Sequence, residues 1–187
     1  GRTRLAIFML GLASIIVGIY LTDHYYSAFF PRPALSGAFC NISSYWNCDS
    51  ATFSALSNIF GIPTAIFGLF FGCLMVFGTL IKSRRIEETN YFLAIVNALG
   101  CVGLFIYSLL VLRSLCPGCT LYYTLSLTTT GVFAFARSVK PLPSAKVLVT
   151  YGGIFACVAL AVHLLTLEME KEQQKLEQTF IEEFDKS

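Results

Sequence analysis

The sequence predicts an all-α membrane protein with five spans, and three observations carry that reading. Hydrophobic residues fill 56% of its 187 positions and charged residues only 13%. Mean hydropathy is +0.70, which excludes an ordinary water-soluble domain. A bilayer span takes about 20 mostly apolar residues, so five spans use roughly 100 positions and leave no room for a large extramembrane domain. The third observation is that most basic residues fall on one side of a five-span threading. The net charge of +2 is small and scattered, giving no nucleic-acid footprint. Two histidines, His24 and His163, are too few for most catalytic metal sites.

Span one is Leu5 to Leu21, which lacks a small-residue cleavage site followed by a polar start and so reads as a retained span rather than a signal peptide. A polar, turn-rich loop, residues 22–61, follows and carries Pro31, Pro33, Gly37, Cys40 and Cys48. Span two runs from about Ile62 to Ile81 and span three from about Asn90 to Leu112, divided by the charged segment Lys82 to Glu88. Span four begins near Cys116 and ends near Ala136. Arg137 to Lys146, with Pro141 and Pro143, breaks the chain before span five, Val147 to Leu167. The chain thus divides into a five-span membrane domain, 1–167, and an acidic tail, 168–187. That tail holds seven of the eleven acidic residues and reads as a helix with Leu176, Phe180 and Phe184 four apart.

Basic residues near span ends mark the cytoplasmic side. Arg2, Arg4, Lys82, Arg84, Arg85, Arg137, Lys140 and Lys146 all lie on one side of the threading. The N-terminus is therefore expected in the cytoplasm, with the 22–61 loop, the turn near Arg113 and the tail on the external face.

The informative residues are seven cysteines. Cys116-Pro117-Gly118-Cys119 opens span four on the external side, and a two-residue spacer at a helix start brings both sulfurs within disulfide reach. The helix N-terminus favours thiolate there, and proline suits a first helical turn because its missing N–H has no intrahelical partner. Cys40 and Cys48 form a second external pair. Outside the cytoplasm such pairs are either structural staples or stations of an electron relay, and redox-type spacing at a helix mouth favours the relay. A tetrahedral zinc site is disfavoured because the 40/48 spacing lacks a tight knuckle, so no metal is expected. Cys73, Cys101 and Cys157 fall inside spans, where cysteine is a small apolar residue.

Cys40 and Cys48 after span one, Phe60-Gly61-Ile62-Pro63-Thr64-Ala65 opening span two, and Cys116-Pro117-Gly118-Cys119 opening span four together resemble the vitamin K epoxide reductase family, in its bacterial branch. The resemblance covers about residues 5 to 165. It implies a four-helix transmembrane bundle around a quinone site, plus a fifth transmembrane helix outside it. It also implies a membrane thiol-disulfide oxidoreductase that makes disulfides for exported proteins. Electrons from a thioredoxin-like partner on the external side would reduce Cys40–Cys48, Cys48 would attack Cys116–Cys119, and Cys119 would pass electrons to ubiquinone, menaquinone or phylloquinone. Ser54 matches the family's serine position and Tyr123 its quinone-contacting tyrosine, with Phe53, Trp46 and Thr64 as further pocket candidates.

Two departures shape the expectation. Vertebrate members carry an asparagine near the start of span two where this chain has Thr64 or Ala65, which lowers the expectation of vitamin K epoxide as substrate. Bacterial members often continue into a thioredoxin-like domain, whereas the expectation here is a membrane domain without a fused one. The expected location is a bacterial inner membrane, within lipid. The alternatives are a quinone or quinone-epoxide reductase of the vitamin K cycle type, and a non-enzymatic membrane scaffold with static disulfides.

Overall fold

The structure, a computed structural model, describes residues 2–30, 43, 45–136 and 139–185, with the side chains of 180 and 182–185 left aside. Helix α1 is Arg2–Phe29, α2 is the single turn Cys48–Thr52, α3 is Thr64–Leu80, α4 is Arg84–Tyr107, α5 is Pro117–Ala136 and α6 is Ala145–Asp185. A two-residue hairpin, β1 (Asn58–Ile59) and β2 (Ile62–Pro63), pairs Asn58 with Pro63 and Ile59 with Ile62. Its turn needs two left-handed residues, Phe60 (φ 54°) and Gly61 (φ 81°), the conformation that matches the twist of a tight hairpin.

Helices α1, α3, α4 and α5 form the bundle, with α1 packed most extensively on α3 and then on α5, and α4 between α3 and α5. Lipid tails are as apolar as leucine, so close backbone approach rather than water exclusion holds such helices together. The α1–α3 seam shows how. A Cβ on Gly18 would stand 2.9 Å from Leu69 Cα, and one on Gly72 would stand 3.0 Å from the Gly11 carbonyl oxygen. Ser14, buried in the same seam, returns its hydroxyl to the Leu10 carbonyl. At the end where α1 starts, Ile7, Phe71, Leu74, Met75, Ala94 and Phe133 form an apolar core, and Arg4 pairs with Glu87 across α1 and α4.

Among the described residues, three helical stretches are long and apolar enough to cross a membrane: α1, Arg84–Leu112 and Ala145–Thr179. The second is α4 with the π-helical turn Ser108–Leu112 that continues it. Helix α3 is apolar but only 17 residues long. Helix α5 is diluted by six serines and threonines, whose hydroxyls find partners within the protein. Thr120, Thr124, Thr128, Thr129 and Thr130 each donate to the carbonyl four residues back, which removes most of the cost of carrying them into lipid.

Two boundaries differ from the hydropathy reading. Helix α1 continues eight residues past Leu21, so Thr22 to Phe29 of the expected loop are helical. Apolarity ends at Leu21, but nothing breaks a helix until Pro31, and the residue before a proline avoids helical geometry. Span five and the tail form one continuous helix, since no glycine or proline occurs in α6 after Gly153. Helix α6 lies outside the bundle. Phe155 packs on Phe67 and Phe70 of α3, Thr166 shares a hydrogen bond with Tyr26 at 3.0 Å, and His163 sits against Gly61.

The α1–α3 seam generates a mutational test. Gly18→Val should lower the thermal unfolding midpoint in detergent, at a cost of about 1–3 kcal/mol for overpacking against backbone. Gly131→Ala, where a Cβ meets nothing within 4 Å, should leave the midpoint unchanged or raise it. Equal midpoints for Gly18→Val and the parent would contradict the close approach.

Candidate functional site

The site is built by a short stitch between two segments far apart in sequence. Leu115 donates its N–H to the Tyr45 carbonyl at 2.7 Å, and Asn47 donates its N–H to the Leu115 carbonyl at 3.0 Å. Trp46 and Leu115 form a parallel bridge there, and the Ser50 and Ser114 hydroxyls hydrogen-bond at 2.6 Å. Asn47 then caps α2, its side-chain oxygen accepting the N–H groups of Asp49 (2.8 Å) and Ser50 (3.4 Å). Cys48 is the first residue of that turn. On the other side, Arg113 takes a left-handed conformation (φ 51°) that ends the π-helical turn and starts the chain back toward α5. Pro117 opens α5 as its first helical residue.

The outcome is a sulfur cluster. Cys48 Sγ lies 3.0 Å from Cys116 Sγ, about 1 Å beyond a covalent S–S bond. Both residues are buried, at 0% and 4% exposure, under Leu21, Ala51 and Cys119. Cys48 is disulfide-bonded, whereas Cys116 and Cys119 are free thiols. Cys116 lies in the loop just before α5. A hydrogen bond from the Cys119 thiol pulls its pKa below the ordinary thiol range, burial opposes this, and the backbone N–H groups of Cys119 and Gly118 assist. The Cys119 N–H reaches Cys116 Sγ at 3.2 Å.

Beside the sulfurs a cavity of about 530 Å³ opens between α1, α3, α4 and α5, with Cys116 and Cys119 in its wall. Its lining is mostly apolar with a few polar groups, the usual make-up of a small-molecule site. Asn97 donates to Tyr122 OH (3.2 Å) and to Ser126 Oγ (2.7 Å), so Tyr122 is tethered to α4. A Cβ on Gly100 or Gly103, both in the wall, would meet nothing within 4 Å, so these glycines leave the cavity its width.

Of the residues singled out from the sequence, the structure brings Cys48, Cys116 and Cys119 together and places Tyr123 and Thr64 in the cavity wall. Tyr123 lies edge-on to Phe105, ring centres 6.3 Å apart, and Thr64 donates its hydroxyl to the Leu56 carbonyl at 2.5 Å. Cys40 lies outside the described residues. Ser54, Phe53 and Trp46 are not part of the cavity wall. Ser54 donates to the Ala51 carbonyl at 2.7 Å and holds the turn after α2. Phe53 is 61% exposed and packs on Phe29, while Trp46 belongs to the stitch. Sequence reasoning missed Tyr122, Asn97 and His24, all in the wall. Asn97 had a usable signal, an amide well inside an apolar span.

A helical membrane bundle that sets a disulfide-bonded cysteine against a free dithiol, beside an apolar cavity, has the layout of a membrane thiol oxidoreductase or quinone reductase. The chain belongs to the vitamin K epoxide reductase family, whose model matches residues 5–135. That match takes in α1 to α5 almost entirely and stops before α6. Among curated proteins none matches the chain.

The sulfur geometry yields a pH prediction. Because the Cys119 thiol is the largest cause of Cys116 acidity, Cys119→Ala should move the iodoacetamide alkylation midpoint of Cys116 to higher pH. Peptide mass mapping across a pH series reads it. A midpoint that stays or falls would show that Cys119 is not the stabilising donor.

Proposed function

We propose that the protein is a membrane thiol-disulfide oxidoreductase that carries electrons from a thioredoxin-like partner through Cys40/Cys48 and Cys116/Cys119 to a membrane quinone, making disulfides for exported proteins. The observation that carries this reading is the 3.0 Å approach of Cys48 to Cys116 at the wall of the apolar cavity. In this reading the face bearing the cysteines is external, in a bacterial inner membrane, and the basic span ends are cytoplasmic.

The chemistry divides into exchanges that each conserve electrons. A reduced partner's thiolate attacks Cys40 and is resolved by its own second thiol, leaving Cys40 and Cys48 reduced. The Cys48 thiolate attacks Cys116 Sγ of a Cys116–Cys119 disulfide, forming Cys48–Cys116 and releasing Cys119. Cys40 then attacks Cys48, which reforms Cys40–Cys48 and expels Cys116 as thiolate. The hydrogen bonds that lower the Cys116 pKa make it a good leaving group, because a more acidic thiol leaves faster. Burial of Cys48 and Cys116 keeps stray thiols from short-circuiting the step.

A quinone supplies the accepting chemistry: it takes two electrons and two protons, and the Cys116–Cys119 pair returns to the disulfide. The cavity suits a flat apolar ring, with Tyr123 in its wall as a hydrogen-bond donor to a ring oxygen and Thr64, its hydroxyl given to the Leu56 carbonyl, as a packing contact. Tyr122, already tethered to Asn97, serves as wall and support.

The test is quinone reduction by the purified full chain in detergent with a reduced thioredoxin-like donor, followed as loss of quinone absorbance. Cys116→Ala and Cys119→Ala should each abolish turnover, and full turnover by both would refute the relay. Gly100→Val should raise the KM for quinone without lowering the thermal midpoint, since its side chain enters open space. An unchanged KM would place the acceptor elsewhere. Turnover on a quinone epoxide but not on the quinone would assign the protein to the reducing direction instead.

A further inference from the structure

Quinone reduction needs proton delivery as well as electrons, and the sulfur relay accounts only for the electrons. The dithiol releases two protons as it becomes a disulfide and the quinol takes two, so the net step is proton-neutral. The protons must nevertheless reach ring oxygens inside a mostly apolar cavity. Neutral tyrosine hydroxyls and amides in the wall can orient a ring but exchange protons poorly near neutral pH. Histidine is the side chain suited to that task.

His24 is on α1 one turn beyond Tyr20 and Leu21, the two residues that meet Gly118 of the Cys116–Cys119 turn. It lines the same cavity as Cys116 and Cys119 and stacks on Tyr20, ring centres 6.5 Å apart. Its Nε2 is buried and makes no hydrogen bond, yet Asp49 Oδ1 stands 3.3 Å away. The carboxylate is near enough to pair with an imidazolium but off the line of a hydrogen bond to the neutral ring. Asp49 follows Cys48 in α2 and is 43% exposed, against 20% for the His24 side chain, so its carboxylate connects the buried Nε2 to water. Nε2 turned to Asp49 leaves Nδ1 as the nitrogen able to serve the cavity. The other titratable groups in the cavity wall are the tyrosines 25, 122 and 123 and the cysteines 101, 116 and 119.

We propose that His24 is a catalytic residue that transfers a proton to the oxygen of the bound quinone, with Asp49 holding the ring and renewing its proton from the external water. This rests on the quinone-reducing function proposed above. In each turnover the imidazolium gives one proton to the ring oxygen as the electron pair leaves the dithiol, and a proton from water restores it by way of Asp49. The second ring oxygen takes its proton from the Cys119 thiol, and the dithiol's other proton, given up where Cys116 leaves as thiolate, passes to the external water in place of the one that His24 draws, so the quinol gains two protons and the step stays proton-neutral. No other oxidant or reductant enters the step.

The test uses the full chain in lipid nanodiscs, and it begins with a signal independent of turnover. The protein has two histidines, so ¹⁵N-histidine NMR resolves His24 from His163 once His163→Gln is compared. Asp49→Asn should shift the His24 nitrogens and leave His163 in place, and a short-chain ubiquinone should shift His24 in the parent protein. Turnover supplies the second signal. His24→Gln should lower kcat for quinone reduction about a hundredfold, the scale of lost acid–base catalysis, with KM within about twofold. Donor-driven reduction of Cys116 and Cys119, read by alkylation and mass, should stay at the parent rate. A His24→Gln kcat within about fivefold of the parent overturns the proposal, as does quinone turnover with no quinone-induced shift at His24. A parent protein that reduces no quinone at all overturns the function on which it rests, which separates the two failures.

Discussion

Leu115 gives its N–H to Tyr45 and takes the N–H of Asn47, and these two backbone hydrogen bonds govern how far Cys48 lies from Cys116. Each is worth only about 1 kcal/mol net, but both fall where one residue of slippage would carry a sulfur out of reach. The Ser50–Ser114 hydroxyl pair and the Asn47 cap hold the same register. A 3.0 Å sulfur approach is thus a consequence of strand-like pairing outside the helices. Thiol exchange requires reacting atoms at about this distance before attack, so the stitch sets the chemistry that the cysteines alone cannot.

The bundle below serves that junction. Glycines in the α1–α3 seam bring two backbones together, while Gly100 and Gly103 on α4 leave space on the opposite wall. Close packing on one side and open volume on the other produce a cavity ending at the dithiol. The polar residues of α5 fit the same plan. Most of its threonines close their hydroxyls on their own helix, and Ser126 and Tyr122 meet Asn97 of α4, so a helix of modest hydropathy is held by internal hydrogen bonds. Helix α6 adds a flank, touching the bundle through Phe155 and Thr166 and reaching the hairpin through His163.

Much of this was legible because the deciding residues carry strong local chemistry. Proline at the second position of Cys116-Pro117-Gly118-Cys119 marks a helix start, and α5 begins there. The apolar runs located the helices, since burying or lipidating a backbone demands one. Helix ends were less legible. Thr22 to Phe29 lack the hydropathy of a span but contain no breaker, and the continuity of α6 through Glu168 has the same cause. The cavity wall was least legible, because several side chains of similar type compete for each position. Tyr122 and Tyr123 are neighbours in sequence with different partners, and Ser54 and Ser57 differ by one turn, yet only Ser57 lines the cavity. Which of several similar nearby residues faces the cavity, and with which partner, depends on tertiary packing that a single sequence does not encode locally.

The central claim is that Cys48 and Cys116 exchange directly during turnover. A single turnover of the full chain, started by reduced donor with quinone present and stopped by acid at millisecond intervals, can be mapped by peptide mass under non-reducing conditions. The account predicts a Cys48–Cys116 linked peptide that rises after donor oxidation begins and decays as quinone is consumed. Complete quinone reduction with that peptide absent at every interval would contradict it.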